Sequence, residues 1–317
     1  MPAIIEVENL TKSYGRRTAV DNISFSIESG SLFGFVGPNG AGKTSTIRVL
    51  TTLLQPTKGR ALVDGHSVMD NPRAVRQILG YMPDFFGVYN DMTVWEYLDF
   101  FSACYEVPFD KRIVLINDLL ALVDLAHRRD DFVDSLSRGM KQRLSLARAL
   151  VHDPKVLILD EPAAGLDPRA RVEFRELLVE LKRLGKTIFF SSHILSDIAE
   201  ICNEVGIIES GKIVTVGHIE TIKRQLQQNH HLRIRVIGDT VEQTKSILAT
   251  VEGIHELEVE ALPEGDWDIM TEFNGDKIAV NALLKQLMAA NIPVLSFATE
   301  TDSLEDVFMK LTEGVVS

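Results

Sequence analysis

Cysteine is scarce: the 317 residues include two, Cys104 and Cys202, in no CxxC pair and no Cys/His cluster. That excludes a disulfide framework and a cysteine-based metal site, and predicts two reduced thiols. Long apolar runs are also missing, since none approaches the ~18–20 residues that span a bilayer. Met1-Pro2-Ala3-Ile4-Ile5-Glu6 shows no basic stretch followed by an apolar one, so no secretory signal is expected. Basic charge is in deficit, with 33 Lys and Arg against 45 Asp and Glu, net −12. A protein that lives on nucleic-acid phosphates carries a basic face, and nothing here points to nucleic acid as a partner. The composition, 45% apolar and 25% charged, is otherwise that of a globular protein, which excludes disordered and collagen-like chains.

The acid is unevenly placed. From Glu220 onward there are 17 acidic and 8 basic residues, net −9, which leaves −3 for everything before. A boundary near residue 220 follows, with one domain over 1–220 and a second over 221–317. In the first, Ile4–Val7, Ile23–Ile27 and Ser31–Val36 read as strands and Thr44–Leu54 as a helix. A helical subdomain is expected over about 90–152, opened by the capping box Thr93-Val94-Trp95-Glu96. Lys155–Leu159 and Thr187–Ser191 are too short and too apolar for anything but buried parallel strands, and they alternate with helices at Arg169–Leu184 and Leu195–Cys202. The second domain reads strand (Leu232–Ile237), helix (Thr240–Val251), strand (Ile254–Glu260), strand (Trp267–Phe273), helix (Lys277–Ala290), strand (Val294–Thr299). A last helix is expected at Ser303–Thr312. That β-α-β-β-α-β order is the ferredoxin-like split unit.

Gly37-Pro38-Asn39-Gly40-Ala41-Gly42-Lys43-Thr44 fits G-x-x-x-x-G-K-[ST], after a buried strand and at the start of a helix. The glycines let successive N–H groups turn toward phosphate oxygens, and the helix N-terminus adds partial positive charge. Lys43 is placed to bridge the β- and γ-phosphates, and the Thr44 hydroxyl to reach Mg²⁺. About 120 residues later, Lys155-Val156-Leu157-Ile158-Leu159-Asp160-Glu161 ends a strand on two carboxylates. Asp160 is suited to hold Mg²⁺ through water, and Glu161 to polarise an attacking water. The pairing identifies a P-loop nucleoside triphosphatase.

Leu136-Ser137-Arg138-Gly139-Met140-Lys141-Gln142-Arg143 resembles the signature of ATP-binding-cassette (ABC) ATPases. The surrounding motif order resembles that family too: Tyr14 in KSYG, the phosphate loop, LILDEP, Ala164-Gly165-Leu166-Asp167, then Ser191-Ser192-His193. The resemblance runs from residue 3 to about 218. It implies an α/β cassette with a parallel-sheet core, an antiparallel β subdomain and a helical subdomain. It also implies that Tyr14 stacks on adenine with Val20 nearby, that Gly37–Thr44 and Ser45 hold the triphosphate, and that Glu161 is the general base. His193 would contact the γ-phosphate. Ser137, Arg138, Gly139, Met140 and Asp167 would reach the nucleotide of a second subunit, so a nucleotide-dependent dimer, a homodimer by default, is expected. His66, His127, His152, His218, His230, His231 and His255 lack such context and are read as structural.

The chain departs from the family's pattern at three positions. Asp84 in Leu79-Gly80-Tyr81-Met82-Pro83-Asp84 replaces the usual Gln; it could approach Mg²⁺, or face solvent while another group does that work. Arg138 replaces the usual Gly of the signature, and Met140 the usual Gln. The resemblance further implies an ATPase subunit on the cytoplasmic face of the membrane, held there by a spanning permease on a separate chain. The aromatic-rich Phe85–Asp99 segment would lie at that contact. Ser303–Thr312 resembles the closing helix of bacterial export-type cassettes, drug-resistance exporters among them. A soluble cassette with a regulatory, translation- or DNA-associated role is the alternative, although relatives of that kind carry two cassettes or a long coiled coil.

Overall fold

Alternating apolar residues give two long antiparallel partners, β1 (Ala3–Tyr14) and β2 (Arg17–Glu28), joined at Gly15-Arg16. Both run well past the segments expected from sequence. Their outer positions carry Thr, Lys, Ser, Asn and Arg, and bulges break the alternation. β3 (Leu32–Val36) is buried at every position and leads into α1 (Lys43–Leu50). That helix stops short of Leu54 because Thr52 takes a left-handed φ of 62°. β4 (Lys58–Val63) and β5 (His66–Ser67) complete an antiparallel sheet ordered β2-β1-β4-β5, and α2 (Pro72–Ile78) leads to β6 (Leu79–Met82). This computed structural model describes residues 3–85, 87, 91–226, 230–263 and 265–300.

The helical segment comprises α3 (Val94–Cys104), α4 (Phe109–Leu122) and α5 (Arg138–Leu150), with single 3-10 turns at Ala126–Arg128 and Val133–Ser135. The capping box at Thr93 forms as expected: its side chain accepts from the Glu96 N–H, and the Glu96 carboxylate accepts from the Thr93 N–H at 2.8 Å. Beyond it come β7 (Val156–Leu159), α6 (Pro168–Arg183), β8 (Thr187–Ser192), α7 (Leu195–Ala199), β9 (Glu204–Glu209) and β10 (Lys212–His218). The larger sheet runs β10-β9-β3-β8-β7-β6, parallel throughout except for the antiparallel edge strand β10. Phe25 of β2 stacks on Phe33 and Phe35 of β3 and on Phe189 of β8, with centroids 5.7–6.3 Å apart. These rings join the two sheets. Each such pair contributes about 0.5–1.5 kcal/mol beyond its buried area.

The chain divides into compact units at Met1–Ile219 and Glu220–Ser317. α8 (Ile219–Leu226) crosses that division. The second unit continues with β11 (His230–Ile237), α9 (Val241–Leu248), β12 (Ile254–Ala261), β13 (Asp266–Phe273), α10 (Lys277–Ala289) and β14 (Val294–Glu300). Its antiparallel sheet is ordered β12-β13-β11-β14, the split β-α-β arrangement expected from sequence. Leu232, Ile234 and Val236 pack with Ile269, Phe273, Leu248, Leu283 and Leu287. On the opposite face of β11, Arg233 grips the buried Asp268 through Nε and Nη2, at 2.8 and 2.6 Å. The helix expected at Ser303–Thr312 lies outside the described residues.

Candidate functional site

The phosphate loop leaves the carboxyl end of β3 and winds into α1. Gly42 caps α1 with a φ of 111°, and a Cβ there would lie 2.6 Å from the Ala19 carbonyl oxygen, so glycine is required. The loop's curl tucks Lys43 inward until only 5% of it is exposed. Its ammonium donates to the carbonyls of Gly37 at 2.7 Å and Pro38 at 3.2 Å. Thr44 and Ser45 follow on the first turn of α1, half-buried, and the Ser45 hydroxyl lies 3.4 Å from that of Tyr14. Pro38, Asn39 and Gly40 form the exposed rim, while Gly37 and Ala41 are buried.

Two carboxylates stand at the end of β7, separated from β3 by β8 in the same parallel sheet. The Asp160 N–H donates to the Met82 carbonyl at 2.8 Å, which places the residue between β6 and β8. Asp160 is fully buried. Its Oδ1 accepts from the Ser191 hydroxyl at 2.7 Å, and the same hydroxyl oxygen accepts from the Glu161 N–H at 3.0 Å. Its Oδ2 is buried with no hydrogen-bond partner. Burial pushes the Asp160 carboxyl above the ordinary carboxylate range; the Ser191 and Thr44 hydroxyls oppose this, and the charges of Asp84 and Glu161 reinforce it. Burial and the Asp160 charge likewise lift the Tyr81 phenol to about 12.

Glu161 takes a left-handed φ of 48°, which turns its side chain onto a heading different from that of Asp160. One oxygen lies 3.2 Å from Lys43 Nζ, and the other 2.8 Å from Nδ1 of His193, just past β8. The fold therefore brings Lys43, Thr44, Asp160, Glu161 and His193 together. Asp84 sits two residues beyond β6, exposed, and close enough for its charge to act on Asp160. Ser191, whose hydroxyl links the Asp160 carboxylate to the Glu161 backbone N–H, carried no role in the sequence reading; its only signal there was its place beside Ser192 and His193.

Among the described residues no cluster of three or more His, Cys, Asp or Glu could hold a metal alone. The Thr44 hydroxyl and the unpaired Asp160 Oδ2 are nonetheless hard oxygen donors of the kind Mg²⁺ prefers. They fit an ion that arrives with phosphate oxygens of its own.

Tyr14 is 47% exposed at the end of β1, with the Lys12 ammonium 5.2 Å from its ring centroid. Val20 has no exposed surface and packs beneath Gly42, so it supports the loop. Ser137 caps α5, its hydroxyl accepting from the Met140 N–H at 3.3 Å. Asp167 caps α6, accepting from the Ala170 N–H at 2.9 Å. Ser137, Arg138, Gly139, Met140 and Asp167 line one cleft of about 400 Å³, and none of residues 37–45 does. The signature cleft and the phosphate loop are thus lined by different residues of the chain.

A buried strand, a phosphate-cradling loop on a helix N-terminus and a carboxylate pair one strand removed in the same parallel sheet define a P-loop nucleoside triphosphatase. Residues 20–164 match the ABC transporter family, and residues 217–312 match the C-terminal domain of DrrA1-3-like ATP-binding proteins. The chain is 35% identical to the bacitracin transport ATP-binding protein BcrA of Bacillus licheniformis, over 99% of each chain. It is 34% identical to the Nod factor export ATP-binding protein I of Ralstonia nicotianae, over 98% of this chain and 94% of that one. A solved ATP-binding subunit of an ABC transporter superposes with a TM-score of 0.65 at 29% identity, covering 70% of this chain and 93% of that one. The chain belongs to the ATP-binding subunits of ABC transporters, and its reaction is ATP hydrolysis that powers transport. Among the described residues no helix is long and apolar enough to cross a membrane.

Proposed function

We propose that ATP bound on Gly37–Ser45 of one copy is closed over by Ser137, Arg138, Gly139, Met140 and Asp167 of a second. Its hydrolysis would then drive export through a permease on a separate membrane-spanning chain. The cassette occupies residues 1–220, at the cytoplasmic face of the membrane, and residues 221–317 form an accessory domain. The observation that carries this reading is that the signature cleft and the phosphate loop are lined by different residues: a nucleotide on the phosphate loop meets the signature cleft only if another copy supplies it. Relatives concerned with bacitracin transport and Nod factor export support the export direction. Cargo selectivity belongs to the spanning partner.

Tyr14 presents its ring to the adenine, and the N–H groups of the loop receive the phosphates. The triphosphate draws Lys43 away from the carbonyls of Gly37 and Pro38 and from Glu161. Thr44 and Asp160 would hold Mg²⁺, with Asp84 beside them, and the ion would supply positive charge against the phosphates. Glu161, then held by His193 alone, orients water in line with the γ-phosphorus and accepts its proton as the bond to the β–γ bridging oxygen breaks. Loss of the γ-phosphate removes what the two copies share, and they part.

Sizing of the Glu161→Gln variant tests the closed pair. A dimer with Mg-ATP and a monomer without it is expected; a monomer in both overturns the reading.

A further inference from the structure

Arg138 stands where the family has glycine, and the fold gives it a specific resting place. It is the first residue of α5, exposed, and its Nη2 donates to the Ala164 carbonyl at 2.8 Å. The guanidinium lies flat on Gly165, so closely that a Cβ on that glycine would sit 2.4 Å from Arg138 Cζ. Gly165 has a φ of 69° and bears no side chain, so the arginine can rest against it in this position. The Ala164 N–H in turn donates to the Glu161 carbonyl at 3.1 Å. One exposed hydrogen bond therefore separates the signature helix from the turn that carries the general base.

The charges around the cleft set Arg138 apart. Arg143 is bound to Glu173 and lies 3.5 Å from Asp124. Asp167 is occupied in capping α6. Arg138 rests on a neutral carbonyl, its positive charge uncompensated by a carboxylate in any contact the fold makes for it among the described residues. A bond from guanidinium to a carbonyl is weaker than one to an anionic phosphate oxygen, which arginine can take in a bidentate grip.

We infer that Arg138 is a two-position arm. It lies on Ala164–Gly165 while the signature cleft is empty, and it swings to the γ-phosphate of a nucleotide carried by a second copy when the cleft is filled. The inference rests on the closed pair proposed above. Departure of the arm frees the Ala164 carbonyl, and with it the turn from Glu161 to Asp167. Occupancy of one nucleotide site is thereby communicated, through a single side chain, to the base of the other. A glycine at position 138 has no such reach.

The test measures the ATP concentration that half-saturates dimerisation, by sizing, in the Glu161→Gln background. Adding Arg138→Gln should raise it about tenfold, the factor expected on loss of one charge-assisted contact. Arg138→Lys keeps the charge without the planar fork and should stay within roughly threefold of the parent. The thermal midpoint of both should match the parent, because the resting bond is exposed. Unchanged half-saturation with Arg138→Gln overturns the arm while leaving the closed pair intact. A lysine variant as weak as the glutamine variant, or a lowered thermal midpoint, overturns it too, since the residue would then act through packing. Failure of the Glu161→Gln parent to dimerise removes both the arm and the closed pair.

Discussion

Lys43 Nζ lies 3.2 Å from Glu161 Oε1. The group proposed to bind phosphate and the group proposed to orient water thus contact each other, and both are largely out of solvent. Lys43→Ala should abolish phosphate release, by at least about a hundredfold, because the triphosphate loses its buried cation. Glu161→Gln should also stop release but still bind nucleotide. A fluorescent ATP analogue titrated into both variants separates the two losses.

Asp84 adds negative charge near Asp160. Asp84→Gln should weaken the pull on Mg²⁺ and relieve repulsion of the triphosphate. The Mg²⁺ concentration for half-maximal hydrolysis is expected to rise several-fold, and the half-saturating ATP concentration at excess Mg²⁺ to fall. Steady-state phosphate release over a grid of the two concentrations reads both.

Asp160 pits function against stability. Its carboxyl is raised in the folded chain, so the folded state binds the proton more tightly than the unfolded one. Stability is therefore lost as pH climbs from the ordinary aspartate value through the raised one, and the full penalty is present at neutrality. Asp160→Asn keeps the shape and removes the charge. Its thermal midpoint without nucleotide should rise by a few degrees, with hydrolysis lost. Calorimetry at pH 7 checks the gain.

His152 predicts acid sensitivity of the opposite sign. Its ring stacks on Tyr105 with centroids 3.8 Å apart and bonds the Leu79 carbonyl through Nε2 at 3.2 Å. Burial lowers its pKa below the ordinary histidine value. The unfolded chain then takes the proton first, and stability falls as pH drops below the ordinary value near 6.5. His152→Phe keeps the stack and removes the titration. The difference in urea midpoint between pH 7.5 and pH 5.5 should shrink in that variant.

Much of this site was legible because its chemistry is local. The phosphate loop and the Asp160-Glu161 pair are contiguous runs whose spacing reflects backbone geometry, and the capping box at Thr93 formed at the residues expected. What escaped depended on distant partners. β4, β9 and β10 mix charged residues and glycine into their apolar positions, so they do not stand apart from loop sequence as the wholly apolar β7 does. β6 is four residues long with Gly80 inside it, and it acquires strand character by pairing with β7. The Arg138–Ala164 contact joins residues 26 apart and has no signature at all.

The Ser191 hydroxyl donates to one acidic side chain and receives the amide hydrogen of the next residue. Retuning either acid alone would therefore disturb its twin, so drift in this corner has to come as concerted replacements rather than single steps. Ser191→Ala, which touches neither acid, should misalign ion binding and water activation at one stroke.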